Sequence, residues 1–208
     1  MKHLEHRAPS VRSKGLSRRE FFRFGSIATA TATAASPGLL FGRAPSAHPT
    51  EKKLSFYNLH TGERLRTVYW AEGRYVPGAL KEINWILRDY RRNEVKPVDL
   101  RLLDLLHALD TKLDTRQPFH IICGYRSPAT NEYLRERSAG VAKHSMHIEA
   151  KAADIRIPGC RLIALQRAAL ALRHGGVGIY PVSDFVHVDV GRVRHWRFPP
   201  AARQTRPS

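Results

Sequence analysis

Residues 185–190 alternate without a break: Val186, Val188 and Val190 fall on one side of an extended chain, Phe185, His187 and Asp189 on the other. Successive side chains of a strand point to opposite faces. The valines must therefore meet a core, which leaves a histidine and an aspartate together on the second face. Residues 152–157 repeat the design, with Ala153, Ile155 and Ile157 on one side and Ala152, Asp154 and Arg156 on the other. If the two strands pair, His187 and Asp154 converge on one polar surface. The loop before Ala152 then brings His147 to it.

The remaining pattern supplies the rest of such a domain. Residues 54–59 and 64–70 flank His60-Thr61-Gly62-Glu63 and predict an N-terminal hairpin. Pro77 opens a helix with Leu80, Ile83 and Leu87 in one stripe, ending near Arg92. Pro97 and Asp99 precede a second helix, with Leu102, Leu106, Leu109 and Leu113 at helical spacing. Residues 119–125 are short and apolar, as a buried strand requires. Pro128 starts a short helix reaching Arg137, and residues 162–174 form a long one stopped by Gly175-Gly176. Residues 177–180 add a strand. Helices first and strands late predict an α+β domain whose small antiparallel sheet, flanked by helices, carries the site.

The chain of 208 residues carries 35 Lys and Arg against 18 Asp and Glu, a formal net charge of +17, and its 42% hydrophobic content excludes wholesale disorder. So basic a balance points first to nucleic acid. The charge is unevenly spread, however: residues 1–50 hold eight of the basic groups and two of the acids. There, Ser17-Arg18-Arg19-Glu20-Phe21-Phe22-Arg23 precedes an uncharged stretch, 24–42, and the small residues Ala44-Pro45-Ser46-Ala47. Basic, mildly apolar and small-residue segments in that order read as a secretory signal. The paired arginines followed by two phenylalanines resemble the twin-arginine export motif.

The expected organisation is a signal peptide over 1–47, a catalytic domain over 48–198 and a disordered tail over 199–208. The export motif implies the twin-arginine translocase as a transient partner and the periplasm as destination, which removes nucleic acid as a partner. No segment has the roughly 18 or more strongly apolar residues of a membrane span, so none is expected after cleavage. Outside the cytoplasm a cationic surface meets the cell wall and lipid head groups.

Two imidazoles and a carboxylate are donors of the kind zinc takes, and a three-donor site keeps a fourth position for water. Asp184 stands three residues before His187, so a turn must swing it back if it is to take a proton beside the metal. The two cysteines, Cys123 and Cys160, exclude a disulfide-built scaffold and a four-cysteine zinc site. They leave open a single disulfide; Cys123, at the end of an apolar run, also suits a small buried hydrophobe.

The blocks Gly124-Tyr125-Arg126-Ser127 with Asn131, Ser145-x-His147 through Ala152-x-Asp154, Gly178-x-Tyr180, and Asp184-x-x-His187-x-Asp189 resemble the D-alanyl-D-alanine metallopeptidase superfamily. Residues 54–63 resemble, within it, the periplasmic murein endopeptidases of the MepK type. The resemblance implies Zn2+ held by His147, Asp154 and His187, with Asp184 as general base and Arg126 and Ser145 touching substrate. It implies hydrolysis of peptide bonds in peptidoglycan. A carboxypeptidase of the same superfamily and a non-catalytic wall-binding protein are the alternatives. Many relatives carry Gly at the position of Ala150, so Ala here asks for a negative φ. His144 is a neighbour at the rim.

Overall fold

A computed structural model describes residues 50–199 except Ala139. The expected signal peptide and nearly all of the expected tail lie outside the described residues. The strands are β1 (Glu51–Asn58), β2 (Arg64–Ala71), β3 (Arg74–Tyr75), β4 (Phe119–Cys123), β5 (Ala152–Arg156), β6 (Gly176–Tyr180), β7 (Phe185–Asp189) and β8 (Arg194–Arg197). The helices are α1 (Pro77–Ile86), α2 (Leu100–Leu113), α3 (Pro128–Arg135) and α4 (Leu162–Leu172).

The class is α+β, but the sheet is neither small nor purely antiparallel. Eight strands join in the order β3-β2-β1-β4-β5-β7-β6-β8. β1 pairs with β4, and β6 with β8, in parallel. The expected hairpin is β1–β2, and it belongs to the same sheet as the later strands because β4 adds to its open edge. β3 and β8 escape the hydrophobic pattern: they are short edge strands, two and four residues long, with exposed or half-buried side chains.

One face of the sheet is sealed by α1, α2 and α4. Ile83, Leu106, Leu109 and Leu165 pack there with Ile121, Ile155, Val186 and Val188, all at most 1% exposed. Burying a side chain of this size contributes roughly 1.5–3 kcal/mol, so this face fixes the register of β5 and β7. A slip of one residue would carry His187 into the core and a valine into solvent.

Helix α1 ends at Ile86, short of Arg92. The amide of Tyr125 takes the Leu87 carbonyl at 2.7 Å. Arg88 is drawn to Glu63 and Asn93, and Asp89 bridges Glu94. Tertiary partners thus claim the groups the next turn would need. Among the described residues no helix is long and apolar enough to cross a membrane.

Candidate metal centre

A single row of paired residues crosses the other face of the sheet. Asp154 of β5 lies opposite His187 of β7, His187 opposite Gly178 of β6, and Gly178 opposite Trp196 of β8. Directly opposed residues share a face. A Cβ on Gly178 would clash with the Trp196 indole. Glycine lets the indole lie across β6, 5.1 Å from the His187 ring, with its N–H donating to the Tyr180 hydroxyl at 3.0 Å.

His147 comes from a turn that closes on itself. The Ile148 amide donates to the Ser145 carbonyl, that of Ala150 to His147, and that of Lys151 to Met146, all at 3.0–3.1 Å. The Arg126 amide ties the turn to the end of β4 through the His147 carbonyl at 3.2 Å. Ala150 closes this turn with φ +51°, not the negative φ expected, so the residue occupies the left-handed region that glycine prefers.

The three candidate donors meet closely. His147 Nε2 is 3.1 Å from His187 Nδ1, and Asp154 Oδ1 is 2.8 Å from the latter and 3.2 Å from the former. Their outer nitrogens settle the tautomers. His147 Nδ1 contacts the Gly124 carbonyl at 2.7 Å, and a carbonyl only accepts, so that nitrogen bears the proton. His187 Nε2 faces Asp189 Oδ2 at 3.2 Å. Asp189 is wholly buried, and although burial opposes its charge, His187, Arg194 and the amides of Gly191 and Gly176 hold its carboxyl well below the usual range. It therefore accepts from His187 Nε2.

His147 Nε2, His187 Nδ1 and Asp154 Oδ1 are left facing one another. Protons shared with Asp154 hold these edges together, and a metal would take the same two nitrogens and oxygen as donors. Around tetrahedral zinc with bonds of about 2.0–2.2 Å, neighbouring donors stand about 3.3 Å apart, close to the spacing here. The outer partners orient each imidazole as they do in metal sites generally. The electrostatics agree. Burial opposes ionisation of Asp154, yet the charges and hydrogen bonds of His147 and His187 hold its carboxyl far below the carboxylate range. Burial likewise favours neutral His147, but the Asp154 charge raises its pKa. The cluster draws in positive charge.

Arg126 stands beside the cluster, Nη2 3.7 Å from Asp154 Oδ2 and Nη1 3.4 Å from Asn131 Oδ1. Among the described residues its Nε is buried without a hydrogen-bond partner. Arg126 and Ser145 line one cleft with His144, His147, Asp154, Tyr180, His187 and Trp196. Asp184 does not. Its turn swings back, with φ +52°, but the exposed carboxylate ends on Arg156 at 3.2 Å, two residues along β5 from Asp154. It lines a neighbouring depression with His120 and Cys160. The expected turn is present and the expected contact with the donors is not.

Sequence reasoning missed Asp89. It is 2% exposed and accepts from the amide and hydroxyl of Ser127, at 2.9 and 2.7 Å, so it anchors the loop that presents Arg126. Its signal was only an acid beside an apolar stripe. Cys123 and Cys160 are both free.

Comparison with known proteins adds the family. The profile described as peptidoglycan L,D-endopeptidase MepK matches residues 46–196. The chain is 41% identical over 180 residues to the peptidoglycan L,D-endopeptidase MepK of Escherichia coli K12, covering 86% of this chain and 97% of that one. It is 43% identical over 150 residues to the probable enzyme of that name from Haemophilus influenzae, covering 72% and 81%. No solved structure matches significantly. With the match running from before β1 to the end of the donor row, the chain belongs to the MepK family of peptidoglycan L,D-endopeptidases.

Proposed function

We propose that the protein is a zinc-dependent endopeptidase that hydrolyses peptide bonds in peptidoglycan cross-links in the periplasm, reached by twin-arginine export. The observation that carries the metal is the close triangle of donor atoms from His147, Asp154 and His187. Zinc, when bound there, supplies Lewis-acid polarisation of the scissile carbonyl and acidifies water.

The chain's own residues do the rest. Gly124 and Asp189 hold the two imidazoles with their inner nitrogens toward the metal. Arg126 places its buried guanidinium beside Asp154 with one N–H unspent. That group suits the negative charge that develops on the substrate oxygen, or a stem-peptide carboxylate. Ser145, at the rim of the same cleft, is a polar contact for substrate. Asp184 is the proton acceptor of this reading: its carboxylate rests on Arg156, and hydrogen bonds to the reacting water often form only in the substrate complex.

The test is incubation of the metal-loaded protein with purified murein, the products identified by mass spectrometry. Loss of cross-linked dimers with release of shorter stems is expected, and loss of that activity in His187→Ala. Release of terminal D-alanine alone would make the protein a carboxypeptidase. Binding without products would make it a wall-binding protein.

A further inference from the structure

By strand alternation Cys123 should share the core face with Phe119 and Ile121. The sheet arranges it otherwise. Ile121 pairs with Ile155 and Cys123 with Asp154, and the register shifts between them. An extra residue in one strand turns the side chains beyond it to the other face. Cys123 thereby joins the donor row, immediately beside Asp154. The donor atoms of Cys123, His147 and Asp154 all lie within 4.8 Å of one another. Arg126 Nη2 donates to Cys123 Sγ at 3.4 Å, and the thiol proton faces the Gly124 carbonyl at 3.6 Å. A guanidinium donating to sulfur favours the thiolate, the form that binds metals.

We infer that Cys123 is a fourth, sulfur donor to the metal held by His147, Asp154 and His187, an inference resting on the zinc reading above. The thiol loses its proton to solvent as the sulfur–metal bond forms. The position it takes is the one a catalytic zinc site keeps for water. The sulfur-bound form is therefore a resting form, and hydrolysis requires water to displace the thiolate.

Cobalt(II) in place of zinc reports sulfur directly, because thiolate–cobalt bonds absorb in the near ultraviolet and nitrogen or oxygen donors do not. Cys160, in the depression beside Asp184, is first replaced (Cys160→Ser) so that one thiol remains. The chain loaded with one equivalent of cobalt should show the band. Adding Cys123→Ser should abolish it while cobalt stays bound to the other three donors. A measurement free of the second variant uses the Cys160→Ser protein alone: bound metal should block alkylation of Cys123 by iodoacetamide. Full cobalt binding without the band, or alkylation at equal rates with and without metal, overturns sulfur ligation and leaves the three-donor site standing. Failure to bind cobalt at all overturns both.

Discussion

At the scale of single residues, the same chemical group acts differently according to what its far side touches. His147 and His187 become donors because Gly124 and Asp189 hold their outer N–H groups. His144, on the same cleft, has an exposed ring and no such anchor among the described residues. Arg126 and Asp184 can be separated from the metal by experiment. Arg126→Ala should lower turnover with metal content unchanged, since its hydrogen bonds go to Asn131 and Cys123 and its ion pair with Asp154 is to the outer oxygen. Metal analysis showing a parallel loss would make it a structural support of the cluster instead. Asp184→Asn keeps shape but cannot take a proton. General acid–base groups typically contribute about 10²–10⁴-fold, so hydrolysis should fall by that order with metal retained. An unchanged rate would move proton transfer to another group, and His144→Gln would then be the informative variant.

At the scale of elements, the two central strands were readable because alternation in β5 and β7 answers to a single cause, burial of one face. Val186, Val188 and Ile155 are each fully buried, and Asp154 and His187 stand opposite one another. Three features were not readable. The shift in β4 that turns Cys123 depends on how β5 seats against it. The early end of α1 depends on Tyr125, far along the chain. Edge strand β8 has no apolar face of its own and is placed by Trp196 lying over Gly178. Each is decided by a partner distant in sequence. The turn carrying His147 offers a test at this scale. Ala150 is 1% exposed and has φ +51°, a conformation that costs an L-residue about 1–2 kcal/mol. Glycine there relieves that strain but adds roughly 0.5–1 kcal/mol of chain entropy to the unfolded state. Ala150→Gly should therefore stabilise the protein by up to about 1 kcal/mol, read from denaturant midpoints at constant m. A lower midpoint would show that the alanine methyl is held by packing worth more than the strain.

For the molecule as a whole, the folded domain and the proposed export signal can be tested separately. The family match spans residues 46–196, whereas Arg18 and Arg19 lie outside the described residues and before the match. The proposed twin-arginine route would carry folded protein, and the site is compatible with that. Its donors come from β5, β7 and the turn at His147, so they meet only once the sheet is assembled, and a metal can be loaded before passage. The remaining chain keeps a net excess of basic groups, suited to an insoluble substrate that bears carboxylates. Replacing both arginines (Arg18→Lys with Arg19→Lys) should leave the precursor in the cytoplasm, followed by fractionation and immunoblotting. Because both positions lie before the family match, the retained precursor should still bind one metal per chain and, once purified, hydrolyse murein as the wild type does. Normal delivery to the periplasm would overturn the twin-arginine route. Retention of a precursor that no longer binds metal would instead tie the leader to folding of the site.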